Sequence, residues 1–299
     1  MRIGYLGLGV MGGALARRLR LSRDVVVFDI DKDAVARFAA EGCATAASAG
    51  ELAQSCDTIF LCLPTSAHVR QAIFGADGLA ATLKPGAMLI DQTTGDPHET
   101  RAMADELAPR GVELIDAPVS GGAIGAQAGT IAIMVGASAA QFARIEPVLK
   151  HVSPNIFHAG EVGAGHVIKL VNNMISHAQR LLTQEGMTLA ARNGLDPDRA
   201  AQILLASGGR NAYMEKVLAP RVLRGKLAIG FTLGLAHKDI ALACDVARRC
   251  GVPTPIAAQA TALYSAMVAE RGHDAEVEVS GLIAEREAGA RYIPVERDL

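Results

Sequence analysis

The sequence predicts an α/β fold, a doubly wound parallel sheet followed by an all-helical C-terminal domain, and three observations carry that expectation. Short β-branched runs alternate with Ala-rich helical stretches through the first half, the pattern of a parallel sheet wrapped by helices. The alternation stops after about residue 163, where a long helical periodicity takes over. A glycine-rich turn directly follows the first expected strand and opens the first expected helix.

In chain order the expected strands are Ile3–Leu6, Val25–Asp29, Thr58–Leu63, Met88–Asp91, Glu113–Ala117 and Thr130–Val135, six runs that fit one sheet. Between them Gly12–Leu21, Asp33–Ala40 and His98–Leu107 read as helices, and Lys84-Pro85-Gly86 closes a loop. Apolar side chains at 167, 171, 174, 178 and 182 then recur in steps of 4, 3, 4 and 4, so Ala164–Asn193 reads as one long helix. Asp196–Ala206, Ala212–Arg224, Leu233–Arg249, Pro255–Glu270 and Glu276–Ala288 follow as further helices. The expected domains are residues 1–162, carrying the sheet, and 163–299, all-helical, with the long helix as the connecting spine.

Composition narrows the function classes. A chain of 299 residues is long enough for two domains with full cores. Lys+Arg 29 against Asp+Glu 31 gives a net charge of −2 with no basic cluster, which argues against a nucleic-acid surface or a polybasic membrane patch. With 31 glycines, no Trp and only 4% aromatic residues, the core must be built from something other than bulky rings. Cysteines at 43, 56, 62, 244 and 250 form no C-x-x-C pair, so neither a disulfide framework nor a zinc site is expected, and they read as buried thiols in a reducing compartment. The first sixteen residues imitate a secretory signal, but Gly4, Gly7, Gly9, Gly12 and Gly13 interrupt the apolar run. No stretch approaches the ~18 apolar residues needed to span a bilayer. The expectation is a soluble, cytoplasmic protein.

Gly7-Leu8-Gly9-Val10-Met11-Gly12 is a G-x-G-x-x-G turn between strand and helix. Gly7 permits the tight turn, Gly9 lets a pyrophosphate approach the backbone, and Gly12 lets helix and strand pack closely. N–H groups at the helix start and the helix dipole then hold the phosphate. This points to a Rossmann-type dinucleotide site. Asp29 ends the second strand 22 residues beyond Gly7, where an acid accepts hydrogen bonds from the adenosine ribose and repels a 2′-phosphate. NAD is therefore expected over NADP.

Three segments supply candidate chemistry. In Gly160-x-x-Gly163-x-Gly165-x-x-x-Lys169-x-x-x-Asn173, Lys169 and Asn173 share one face of the long helix. Lys169 lies in the early turns, where the positive dipole end disfavours an ammonium, a pattern suited to acid/base work. Asp116-Ala117-Pro118-Val119-Ser120-Gly121-Gly122 follows a strand end, and Ser120, Gly121 and Gly122 can offer a hydroxyl and bare N–H groups to a carboxylate. A serine-nucleophile reading fails because Pro118 replaces the first glycine of G-x-S-x-G. Phe231–Asp239 places Lys238 at the start of a later helix, and the eight histidines show no metal-binding spacing.

Taken together and in this order, the motifs Gly7–Gly12, Asp116–Gly122, Gly160–Asn173 and Phe231–Asp239 resemble the β-hydroxyacid dehydrogenase family, over nearly the whole chain. The resemblance implies that Lys169 is the general acid/base, that Ser120, Gly121, Gly122 and Asn173 hold a substrate carboxylate, and that Lys238 lies beside the nicotinamide. It also implies that Leu63, Pro64 and Thr94 contact the cofactor, with His68 at a position where relatives often carry Asn. Relatives that reduce imines lack the lysine present here as Lys169.

The expected reaction interconverts a small 3-hydroxy acid, of the 3-hydroxyisobutyrate kind, and its semialdehyde, with substrate between the domains and Lys169 moving the hydroxyl proton as hydride passes to NAD. Tartronate semialdehyde, succinic semialdehyde or a sulfonated aldehyde are alternative substrates, for which Arg210 in Ser207–Asn211 is either an extra anion contact or a surface arginine. A non-catalytic dinucleotide sensor is a third reading, disfavoured by Lys169, Asn173 and Ser120. The Ala-, Leu- and Val-rich helices, poor in charge, lead to the expectation of a homodimer or homotetramer.

Overall fold

The structure is a computed structural model of the chain, in which residues 2–295 are described. The chain divides into two compact units, the first ending at Lys169 and the second beginning at Leu170.

The first unit is built on nine strands: β1 (Ile3–Leu6), β2 (Val25–Phe28), β3 (Ala44–Thr45), β4 (Thr58–Leu61), β5 (Met88–Asp91), β6 (Glu113–Asp116), β7 (Val119–Ser120), β8 (Ala132–Gly136) and β9 (Ile156–Gly160). Their order is β3-β2-β1-β4-β5-β6-β8-β7, with β9 beside β8. Pairing is parallel from β3 through β6, and Ile3 stands level with Val25 on one side and Thr58 on the other. The order reverses between β1 and β4, the switch point where ligands of open α/β sheets bind.

Along these strands successive residues enter opposite cores. Val25, Val27, Phe60 and Ile90 pack on one face with Leu15 and Leu19, whereas Val26, Ile59, Leu61 and Leu89 pack on the other with Leu52 and Leu107. Both faces are covered, so the strands read as unbroken apolar runs rather than alternating ones. Aliphatic side chains do most of the filling, and Tyr5 stacks on Phe60 with ring centroids 5.8 Å apart.

The covering helices are α1 (Val10–Arg20), α2 (Lys32–Ala40), α3 (Ala49–Ser55), α4 (Ser66–Phe74), α5 (Pro97–Leu107), α6 (Gly122–Ala128) and α7 (Ala139–Leu149). Asp31, Ser48, Thr65, Asp96 and Ser138 cap α2, α3, α4, α5 and α7 by accepting backbone N–H groups, each such cap contributing about 1 kcal/mol.

The doubly wound parallel sheet is extended at its far edge by antiparallel pairing. β8 runs antiparallel to both β6 and β7, and β9 then pairs parallel with β8. β3, β7 and β9 lie outside the six expected runs; two of them span only two residues, and β9 is mostly exposed.

Long helix α8 (Ala164–Arg192) begins in the first unit and continues through the second, which adds α9 (Pro197–Leu205), α10 (Leu233–Arg249), α11 (Pro255–Arg271) and α12 (Val279–Ala288). The helix expected over Ala212–Arg224 is replaced by a π-helical turn at Met214–Leu218 and a 3₁₀ turn at Val222–Arg224. Pro220 lies between them, where a proline lacks the N–H a continuous helix needs.

Three of the chain's four tyrosines gather in this unit around a buried ion pair. Arg180 Nε lies 3.1 Å from Glu278 Oε1, Tyr213 donates to Glu278 Oε2 at 2.6 Å, and Gln184 donates to the Tyr213 hydroxyl at 3.0 Å. Burial pushes the Glu278 carboxyl and the tyrosine hydroxyls upward.

None of the cysteines is bridged, yet only Cys43 and Cys56 are buried, Cys62 and Cys244 are half-buried, and Cys250 is exposed, so the expectation of uniformly buried thiols is corrected. Among the described residues no helix is long and apolar enough to cross a membrane, and no His/Cys/Asp/Glu group could hold a metal ion.

Candidate active site

The glycine loop leaves β1 at the switch point. Gly7 has φ +100°, its N–H donates to Phe28 O at 3.1 Å, and a Cβ there would lie 2.2 Å from Cys62 O. A Cβ on Gly12 would lie 2.1 Å from Gly7 O, so that glycine permits the helix to close on the strand. Gly9 differs from both: a Cβ there meets nothing within 4 Å, and it precedes α1 without any side-chain cap. Open space above bare helix N–H groups suits a diphosphate. Leu8 is buried, while Val10 is 71% exposed.

Asp29 is half-buried just past β2. Its Oδ2 accepts from Leu8 N at 2.5 Å and its Oδ1 from Asp31 N at 2.9 Å, so the acid also clamps the glycine loop to the end of β2. The neighbouring strand ends join on the other side. Leu63 N donates to Thr93 Oγ1 at 3.1 Å, and Thr93 N donates to Asp91 Oδ1 at 2.9 Å, which places Leu63 and Pro64 beside the turn carrying Thr94. His68 is exposed, with Nδ1 2.7 Å from the Oγ1 of Thr65, the cap of α4. The structure thus brings Gly7, Leu8, Gly9, Asp29, Leu63 and the turn at Thr94 to neighbouring strand ends in one unit. These residues fit a dinucleotide.

Ser120 ends the two-residue strand β7 rather than lying in a simple turn. Gly121 and Gly122 follow with φ +138° and +67°, conformations that side chains rarely adopt. Both are exposed. Lys169 lies in the second turn of α8 and is 8% exposed, unusual for a residue type that is mostly found in solvent.

In the second unit Asn173 and Lys238 converge on one carboxylate. Asn173 Nδ2 donates to Asp239 Oδ2 at 2.7 Å, and Lys238 Nζ lies 2.9 Å from Asp239 Oδ1. Asp239 is 4% exposed. In the sequence Asp239 only closes the Phe231–Asp239 motif, and nothing local announces a partner 66 residues away. Arg210 is exposed and pairs with Glu215 at 2.9 Å, as a surface arginine does.

Two family models match the chain: the NAD-binding domain of 6-phosphogluconate dehydrogenase over residues 2–160, and the NAD-binding domain of NADP-dependent 3-hydroxyisobutyrate dehydrogenase over residues 163–281. The chain is 36% identical over 265 residues to 2-(hydroxymethyl)glutarate dehydrogenase of Eubacterium barkeri, covering 88% of each. It is 37% identical over 270 residues to 3-hydroxyisobutyrate dehydrogenase of Pseudomonas aeruginosa, covering 88% of this chain and 91% of that one. The solved structure of Mycobacterium tuberculosis 3-hydroxyisobutyrate dehydrogenase with L-serine superposes with a TM-score of 0.85 at 30% identity, covering 94% and 98% of the two chains. With its glycine cradle, its buried lysine and both halves matched, the chain belongs to the 3-hydroxyisobutyrate dehydrogenase family of NAD(P)-dependent β-hydroxyacid dehydrogenases.

Proposed function

We propose that the protein interconverts a small 3-hydroxy acid of the 3-hydroxyisobutyrate kind and its semialdehyde, using NAD. The observation that carries this reading is the place of Lys169: a lysine only 8% exposed in the second turn of α8, one helical turn before Asn173 and on the same face. Bound NAD supplies the hydride acceptor. Gly7, Leu8, Gly9, Val10, Met11 and Gly12 hold its diphosphate, Asp29 its adenosine ribose, and Leu63, Pro64, His68, Thr94 and Lys238 complete the cofactor contacts. Ser120, Gly121, Gly122 and Asn173 hold the substrate carboxylate. The amine of Lys169 takes the proton from the substrate hydroxyl and returns it in the reverse reduction. An arginine exposed and paired, as Arg210 is, gives no support to a second anion on the substrate.

The test is NADH absorbance with a panel of 3-hydroxy acids, with Lys169→Ala alongside. Turnover with at least one member is expected, together with a loss of kcat of about 100-fold or more in the variant and nearly unchanged NADH affinity. No turnover by the parent protein, or most of it surviving in Lys169→Ala, would remove the reading.

The same proposal includes a homodimer or homotetramer in the cytoplasm. On α8, Ile168, Val171, Ile175, Leu182 and Leu189 are 43%, 37%, 55%, 70% and 66% exposed, and steps of 3, 4, 7 and 7 put them on one face. An apolar stripe of this length suits a second copy, and a monomeric mass at micromolar concentration would count against it.

A further inference from the structure

Asp116 ends β6 fully buried, and its carboxylate grips the start of α8. Oδ1 accepts the N–H of Gly163 at 2.6 Å and Oδ2 the N–H of His166 at 2.7 Å. These donors belong to the end of the helix that has no partners of its own and carries the positive pole. Small residues clear the space: a Cβ on Gly136 would lie 2.4 Å from the carboxylate Oδ1, and one on Gly165 would lie 2.8 Å from Oδ2 and 2.3 Å from Met134 O.

His166 braces the same turn from the other side. Fully buried, it sets Nδ1 3.0 Å from Thr100 Oγ1 and packs its ring where a Cβ on Gly95 would approach to 2.9 Å. Lys169 follows His166 by three residues, about 4.5 Å along the helix axis, so its place is inherited from this anchor.

We infer that Asp116 is a positioning residue that anchors the N-terminus of α8 and thereby sets both the place and the ionisation of Lys169. Hydrogen bonding alone would be served by a neutral cap such as serine. A carboxylate adds a full negative charge, which outweighs the roughly half unit of positive charge at a helix start. An uncompensated helix start would push Lys169 toward the neutral amine, whereas Asp116 keeps the ammonium available for the step that returns a proton. The inference rests on Lys169 being the acid/base group.

The test follows kcat for hydroxy-acid oxidation against pH, with NADH affinity from fluorescence, in the parent protein, Asp116→Asn and Asp116→Glu. Asp116→Asn is expected to lower kcat about 10- to 100-fold, to leave NADH affinity within about threefold, and to move the limb of the profile that reports the lysine to lower pH. Asp116→Glu keeps the charge and is expected to hold that limb in place. Where Asp116→Asn does not fold, Asp116→Ser, a small neutral cap, takes its place with the same expected shift. Unchanged kcat in the neutral variant overturns the inference, as does an equal loss in neutral and charged variants with the limb unmoved. Absence of turnover in the parent protein is a different result, because it removes the proposed reaction and leaves the anchoring geometry untouched.

Discussion

Asn173 donates its side-chain amide to Asp239 across 2.7 Å, with both residues buried. An ionised carboxylate only accepts, so the bond fixes which end of the amide faces it, and Asn173 Oδ1 in turn accepts from Asn172 at 3.0 Å. One amide N–H is thereby committed to Asp239. The second is the donor proposed for the substrate carboxylate. In Asp239→Asn the new side chain can present either end, the orientation of Asn173 is no longer dictated, and Lys238 loses its counter-charge. A hydrogen bond to a charged group contributes about 1.5–3 kcal/mol, so KM for the hydroxy acid should rise about 10- to 100-fold with a smaller change in kcat. Steady-state kinetics checks this, and an unchanged KM would show that Asp239 does not orient Asn173.

The cofactor half of this site was legible because its determinants are local. Gly7, Gly9 and Gly12 lie within six residues of one another, directly after a strand, and the spacing to Asp29 is set by one helix and one strand. Asp239 and Asp116 were not legible in the same way. Each acts on a backbone or side chain 47 to 66 residues distant, and a sequence pattern carries no sign of such a pairing. Short edge strands escaped for a related reason: Val119–Ser120 is held by its pairing with β8 rather than by any propensity of its own.

Gly9 and Gly12 should separate cofactor binding from folding. Gly9 has φ −62°, a Cβ there meets nothing, and alanine also narrows the unfolded ensemble, so Gly9→Ala should keep or slightly raise Tm while weakening NADH binding at least about tenfold. Gly12→Ala instead drives a methyl to 2.1 Å from Gly7 O, an overpacking that costs about 1–3 kcal/mol, so Tm should fall. Thermal melts with and without NADH give both readouts. Equal behaviour of the two variants would refute the division of labour.

Asp29 clamps the glycine loop in this structure and is the residue proposed to hold the adenosine ribose, so its substitution should show both effects. Asp29→Ala removes the charge expected to repel a 2′-phosphate, so the ratio of kcat/KM for NAD to that for NADP should narrow by about tenfold or more. It also removes the acceptor for Leu8 N, which slackens the glycine loop, so KM for NAD itself should rise. Preference of the parent protein for NADP would defeat the ribose argument outright.

Asp91 makes stability depend on pH in a direction the structure dictates. It is fully buried beside His166 and Asp116, and burial raises its carboxyl above the usual range, outweighing the lowering by His166 and by the Thr93 bonds. Because the folded carboxyl holds its proton more tightly than the unfolded one, its stabilising contribution is complete below the unfolded pKa and is lost as pH rises through the folded pKa. In Asp91→Asn the side chain never carries that charge. The introduced amide oxygen can still accept from Thr93 N, as Asp91 Oδ1 does at 2.9 Å, and the introduced NH₂ can donate toward His166 Nε2, which lies 3.9 Å from Asp91 Oδ2. Neither His166 Nε2 nor Asp91 Oδ2 has a hydrogen-bond partner among the described residues. Asp91→Asn should therefore raise Tm at pH 7 to 8, with the gain shrinking as pH falls toward the acid range and the native carboxyl takes up its proton. Melting curves across that range decide the matter: a variant less stable than the parent at every pH would mean that the ionised Asp91–His166 pair stabilises the fold and that burial is not the dominant influence.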